Sequence, residues 1–68
     1  MPVLNTIELE GVSAVSWKDA AQEALREAAK TLRGIRRLDI LSTSASILDG
    51  GKIEYRTQVR LTFVQSAR

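Results

Sequence analysis

The 68-residue chain carries ten basic and eight acidic residues, a formal net charge of +2, and is expected to form one domain. It has no cysteine and no histidine, which excludes disulfides, Cys/His zinc sites and iron–sulfur clusters. The near balance of charge does not point to nucleic acid, and no apolar run nears the ~20 residues of a membrane-spanning helix. The N-terminus lacks the basic region and apolar block of a signal peptide, so the expected location is cytoplasmic.

Residues 5–10 alternate, with Asn5, Ile7 and Leu9 on one face and Thr6, Glu8 and Glu10 on the other. They predict a strand that Gly11 ends. Residues 16–33 predict an amphipathic helix. Ser16-Trp17-Lys18-Asp19 resembles a capping box with Asp in place of Glu, which favours Ser16 over Ser13 as the N-cap. The apolar stripe is Trp17, Ala20, Ala21, Ala24, Leu25, Ala28 and Leu32, and Gly34 is placed to terminate the helix as C′. Such an alanine-rich face lets a helix lie close to a sheet but buries little area per residue.

Residues 37–48 and 52–65 predict two strands joined through Asp49-Gly50-Gly51-Lys52, whose glycines tolerate positive φ. A two-residue turn centred on Gly50-Gly51 pairs Leu48 with Ile53, Ile40 with Leu61 and Leu38 with Phe63. Centring it on Asp49-Gly50 keeps the same faces but pairs them less well. Leu38, Ile40, Val59, Leu61 and Phe63 form the face for the helix. Arg37, Asp39, Leu41, Arg56, Gln58 and Arg60 form a mixed polar face opposite. The expected class is α+β, in the order β-α-β-β, with one helix on a three-stranded antiparallel sheet.

The lengths do not match. An 18-residue helix is about 27 Å long, and a 12-residue strand about 40 Å. The hairpin must project beyond its only helix while carrying Ile47, Leu48, Ile53 and Tyr55. Chains this short bury only about 60% of their unfolded surface, and a lone core supplies roughly 3–5 kcal/mol. Without disulfides or a zinc site, oligomerisation is the expected support.

Catalytic residues are scarce. Glu8 and Glu10 share a strand face about 7 Å apart, a spacing compatible with acid–base work, but a solvated or salt-bridged face is the plainer reading. No acidic run matches an EF-hand calcium loop. Arg26, Lys30, Arg33 and Arg37 follow i, i+4, i+7, i+11 spacing, with Arg36 adjacent. Cations suit a helix C-terminus, and Glu23 and Glu27 are close enough to pair with Arg26 and Lys30. That reading is preferred over phosphate-ligand binding, and nucleic acid ranks last because no aromatic interleaves with the basic residues. Trp17, on the apolar helix face, is expected in the core or a subunit interface.

Taken together, these segments resemble the dodecins, small proteins that assemble as hollow spheres of twelve subunits. The resemblance runs through Ile7-Glu8-Leu9-Glu10-Gly11-Val12-Ser13, the alanine-rich helix, Lys30-Thr31-Leu32-Arg33 and Leu38-Asp39-Ile40. It continues through Asp49-Gly50, Tyr55-Arg56 and Val59-Arg60-Leu61-Thr62-Phe63, covering nearly the whole chain. No one piece is a strong motif; their joint order and spacing is specific. The resemblance implies a homododecamer that binds or stores a small ligand or ion, without enzymatic activity.

In known dodecins a tryptophan at the start of the second strand stacks on a flavin, and a glutamine in the third strand bonds its edge. The matching positions here are Arg37 and Arg56, so both flavin contacts are replaced. A guanidinium adds positive charge where the family offers an aromatic face and a neutral amide. The chain resembles the branch lacking that tryptophan, which includes calcium-binding dodecins. Flavin storage is not expected. A small anionic ligand or ion, coenzyme A or calcium among them, is the expected cargo, with Arg37 and Arg56 as ligand contacts and no metal-site residues assigned. The alternative is a structural assembly without a ligand, in which Arg37 and Arg56 form intersubunit salt bridges. The Gly50-Gly51 register separates those two arginines by about 26 Å within one subunit.

Overall fold

The computed structural model describes residues 3–64. Strand β1 (Leu4–Ser13) leads into helix α1 (Trp17–Ala29), which is followed by β2 (Ile35–Ile47), a 3-10 turn at Asp49–Gly51, and β3 (Ile53–Val64). The sheet is antiparallel throughout, in the order β1-β3-β2. The expected β-α-β-β architecture is therefore present. Gln65, the expected last residue of the third strand, lies outside the described residues.

Gly11 does not end β1. The strand runs on to Ser13, which pairs with Tyr55, and Gly11 itself pairs with Thr57. The helix begins as expected: Ser16 is extended and its side chain accepts from the Asp19 amide at 3.0 Å. Asp19 does not complete a capping box. Its carboxylate instead accepts from the Ser13 hydroxyl at 2.6 Å, and Ser13 Oγ accepts from the Val15 amide. Both serines thus organise this connection.

The helix is shorter than expected. It stops at Ala29 with Lys30 as C-cap, and Gly34, at φ 72°, opens β2 rather than closing α1. Arg33 and Arg37 therefore do not continue a helical stripe from Arg26 and Lys30. The expected ion pairs do form, between Arg26 and Glu23 and between Lys30 and Glu27. The hydrogen bond from Arg26 to Glu23, with the charge of that carboxylate, raises the guanidinium pKa above its ordinary value.

The hairpin register also differs from the expected one. Ile47 pairs with Ile53, leaving a five-residue connection in which Gly50 and Gly51 take φ 82° and 79°. The Gly51 amide donates to Leu48 O at 3.0 Å, and the Leu48 amide to Lys52 O at 2.7 Å. Irregularities at Arg36 and Leu41 then shift the pairing, so Ile40 meets Val59, Leu38 meets Leu61, and Ile35 meets Phe63. Counting back from a turn cannot foresee such bulges, because each inserts an unpaired residue.

Ala20, Ala21, Ala24 and Ala28 are buried, and Val59 and Leu61 beneath them are 0% exposed. Ile7, Leu9, Leu25, Leu32, Ile35 and Leu38 close the margins. The helix lies over β1 and β3 and barely touches β2. Ile40, expected beneath the helix, is consequently 56% exposed. Trp17 is half-exposed, packing edge-on to Tyr55 with ring centroids 5.0 Å apart and donating from Nε1 to Ser44 O at 2.8 Å.

The described chain measures 51 × 20 × 13 Å. A 13-residue helix is about 20 Å long, so the mismatch exceeds the sequence expectation. Tyr55 is rescued by Trp17, whereas Ile47, Leu48 and Ile53 stay exposed. Buried Thr57 holds the first helical turn on the sheet by donating from Oγ1 to Trp17 O at 2.8 Å. Thr57→Val is expected to lower stability by about 1 kcal/mol. An unchanged urea midpoint would deny that anchor.

Candidate functional site

Strand alternation settles which side chains share the sheet face away from α1. Thr57, Val59 and Leu61 of β3 are buried beneath the helix, so Glu54, Arg56, Gln58, Arg60 and Thr62 point the other way. Glu8 lies directly opposite Arg60 on β1, and their side chains pair at 3.3 Å. Arg56 donates to Ser46 Oγ at 2.7 Å, pairs with Glu54 at 3.2 Å, and reaches Glu10 at 3.6 Å. Arg37 pairs with Asp39 at 3.2 Å, and the Ser42 hydroxyl donates to Gln58 at 3.4 Å.

These pairs are partly solvated, so each contributes little to stability. Their effect is to orient. Three arginines and four carboxylates alternate over the face. Glu8 and Glu10, the carboxylates at acid–base spacing, each face an arginine, which is the salt-bridged arrangement.

Arg37 and Arg56 share this face but do not meet. Arg37 lies opposite Thr62 and Arg56 opposite Ser44. Along β3 the two positions are six residues apart, about 20 Å. This is closer than the Gly50-Gly51 register implied, because the hairpin pairs Arg56 with Ser44 instead of Ala45 and the bulge at Leu41 removes one more step. A single small ligand cannot touch both within one chain.

Sequence reasoning missed an open groove of about 520 Å³ between the end of α1 and the start of β2. Leu25, Leu32, Ile35 and Leu38 floor it, and Arg33, Arg36 and Arg37 rim it. Among the described residues Arg33 and Arg36 have no carboxylate partner. The available signal was Gly34, whose positive φ turns the chain from the loop that carries Arg33 into β2, which carries Arg36 and Arg37, so these residues do not continue a helical stripe.

The side chains fit neither calcium nor flavin within one chain. Among the described residues no group of three or more carboxylates is placed to hold a metal ion. Each carboxylate of the outer face is committed to an arginine. Position 37 offers a guanidinium, and the ring pair Trp17 and Tyr55 lies on the helix side of the sheet.

The sequence model of the dodecin family matches residues 3–66. The calcium dodecin of Mycobacterium tuberculosis is 32% identical over 63 residues, covering 93% of this chain and 89% of that protein. A crystal structure of that calcium dodecin, described as a calcium-chelating immunodominant antigen with a novel calcium-binding site, superposes with a TM-score of 0.88. It is 29% identical and covers 96% of this chain and 93% of the other. A point mutant of the T. thermophilus dodecin superposes over the whole of both chains, with a TM-score of 0.92 and 28% identity.

Proposed function

The chain belongs to the dodecin family, and from that premise we propose that it is a single-domain, non-enzymatic binding or storage subunit. Twelve copies close into a hollow sphere that holds a small anionic ligand or an ion. The observation that carries this reading is the bare apolar hairpin. Ile47, Leu48 and Ile53 remain 70%, 44% and 44% exposed, and neighbouring copies supply the missing contacts.

The ligand lies where sheets of different copies meet. Arg37 is the stronger of the two proposed contacts, because Arg33 and Arg36, which line the groove with it, have no carboxylate partner among the described residues. Arg56 joins only if a neighbouring copy displaces part of its present set of Glu10, Glu54 and Ser46. The relative that chelates calcium supports an ion as cargo. Carboxylates from several copies would have to converge to hold one, since calcium takes six to eight oxygen ligands. Loss of the stacking ring at position 37 argues against flavin. The engagement of Arg37 and Arg56 in ion pairs within one chain favours the second reading, an assembly with no ligand.

Native mass spectrometry and calorimetric titration of one preparation test both parts. The expected mass is about 90 kDa, twelve times 7.5 kDa. Coenzyme A or Ca²⁺ is expected to bind, and FMN and riboflavin to bind no tighter than micromolar. Submicromolar flavin binding would overturn the reading of Arg37. Silence toward all four ligands would favour the ligand-free assembly, and a monodisperse monomer would end both.

A further inference from the structure

We propose that the groove between the end of α1 and the start of β2 binds a fatty-acid anion. The carboxylate lies on Arg33 and Arg36, and the hydrocarbon chain lies on the aliphatic floor. This rests on the reading of the chain as a small-ligand binding subunit and names the class of ligand.

The groove combines two features that suit different parts of one molecule. Leu25, Leu32, Ile35 and Leu38 are half-buried; they pack against the core and also floor the groove. Apolar surface left to water favours an apolar occupant. Arg33 and Arg36 stand exposed at the rim without a carboxylate partner among the described residues, whereas Arg37 is held by Asp39 at 3.2 Å. Two like charges beside an apolar floor attract an anion, and the guanidinium fork matches a carboxylate. An inorganic anion would leave the floor wet. A neutral hydrocarbon would leave both guanidinium groups without a counter-charge. A single-chain amphiphile with an anionic head satisfies both, and about 520 Å³ lies within the range of small-ligand sites.

The walls are fastened by backbone hydrogen bonds. The Lys30 amide donates to Glu27 O at 3.3 Å, and the Thr31 and Leu32 amides donate to Ala28 O at 3.1 and 2.9 Å. These bonds hold the loop and occupy carbonyls that would otherwise turn the negative end of α1 toward an anion. The Val64 amide donates to Gly34 O at 3.1 Å, so the end of β3 backs the turn into β2. Ile35 pairs with Phe63 at this end of the sheet, whereas Ile47 pairs with Ile53 at the hairpin end. The contacts that the bare hairpin needs therefore do not fall on the groove.

Calorimetric titration of the assembled protein, with each amphiphile below its micellar concentration, tests the proposal. Each methylene that the groove fully buries tightens binding about fourfold. Decanoate is therefore expected to bind roughly tenfold more tightly than octanoate, the chain being partly open to water. Decanol, with the same chain and no charge, should bind at least about tenfold more weakly than decanoate. The double variant Arg33→Gln, Arg36→Gln should lose a similar factor for decanoate. Ala29 is exposed on the groove wall, so Ala29→Phe fills the space without changing any charge and should abolish binding. An unchanged native mass and urea midpoint confirm that each variant is intact.

Equal affinity for octanoate and decanoate, or undiminished binding by the double variant, overturns the groove as an amphiphile site. Binding to phosphatidylglycerol vesicles without binding to dissolved decanoate overturns it in favour of a membrane surface. Silence toward decanoate in a protein that binds coenzyme A or Ca²⁺ overturns the fatty-acid site and leaves the storage reading standing. Silence toward all of them overturns both.

Discussion

Gly11→Ala is expected to lower stability by roughly 3 kcal/mol, at the upper end of what an overpacked site costs. Gly11 has no need of positive φ, since that conformation belongs to Gly34, Gly50 and Gly51. What it supplies is space. A Cβ at this position would stand 1.8 Å from the carbonyl oxygen of Ala20, 2.8 Å from its carbonyl carbon and 3.2 Å from Ala24 Cβ. Two of these are helix backbone, which no rotamer change can move. The helix would have to lift from β1, opening the layer in which Val59 and Leu61 are sealed. Urea titration followed by circular dichroism, at fixed protein concentration, reads the effect. Retention of the wild-type midpoint would refute the close approach of α1 to β1.

Leu61→Ala is expected to cost about 3–4 kcal/mol, within the range for a large side chain deleted from a packed core. Leu61 is fully buried, pairs with Ile7 on one side and Leu38 on the other, and lies under the alanine face of α1. The alanines above it have no rotamers with which to refill the space. The cavity therefore stays open, and its cost adds to the lost transfer free energy. Because assembly stabilises the folded chain by mass action, the comparison must be made at one concentration. A loss below 1 kcal/mol would mean that the core relaxes around the deletion or that the neighbouring copies carry most of the stability.

Both sites show why the alanine pattern of α1 was informative before any coordinates. Ala20, Ala21, Ala24 and Ala28 recur at helical spacing and have too little bulk to hold a helix at a distance from a sheet. Close packing was therefore legible. Its partner residue was not. Gly11 reads along the chain as a strand terminator, and only the approach of α1 reveals it as the one residue small enough to lie beneath Ala20.

The candidate site was legible in composition and not in geometry. Strand alternation correctly put Arg37, Arg56 and Arg60 on the polar face. Their ion-pair partners depend on register, and register depends on the bulges at Arg36 and Leu41. The groove beside Arg33 and Arg36 is not legible in the sequence, because the helical pattern runs on to Arg33, four residues past the end of α1 at Ala29. Residues 30–33 have good helix propensity, and tertiary context overrode it.

The element order, the two strand faces, the N-cap and the shortfall of helix over sheet were determined by the sequence alone. Each follows from periodicity or length, which are local quantities. Tertiary structure alone decided the register of β2 on β3, the role of Gly11, the exposure of Ile40 and the separation of Arg37 from Arg56. Those properties belong to pairs of residues distant in the chain. They are set by packing between elements, of which one sequence read in order carries only an indirect record.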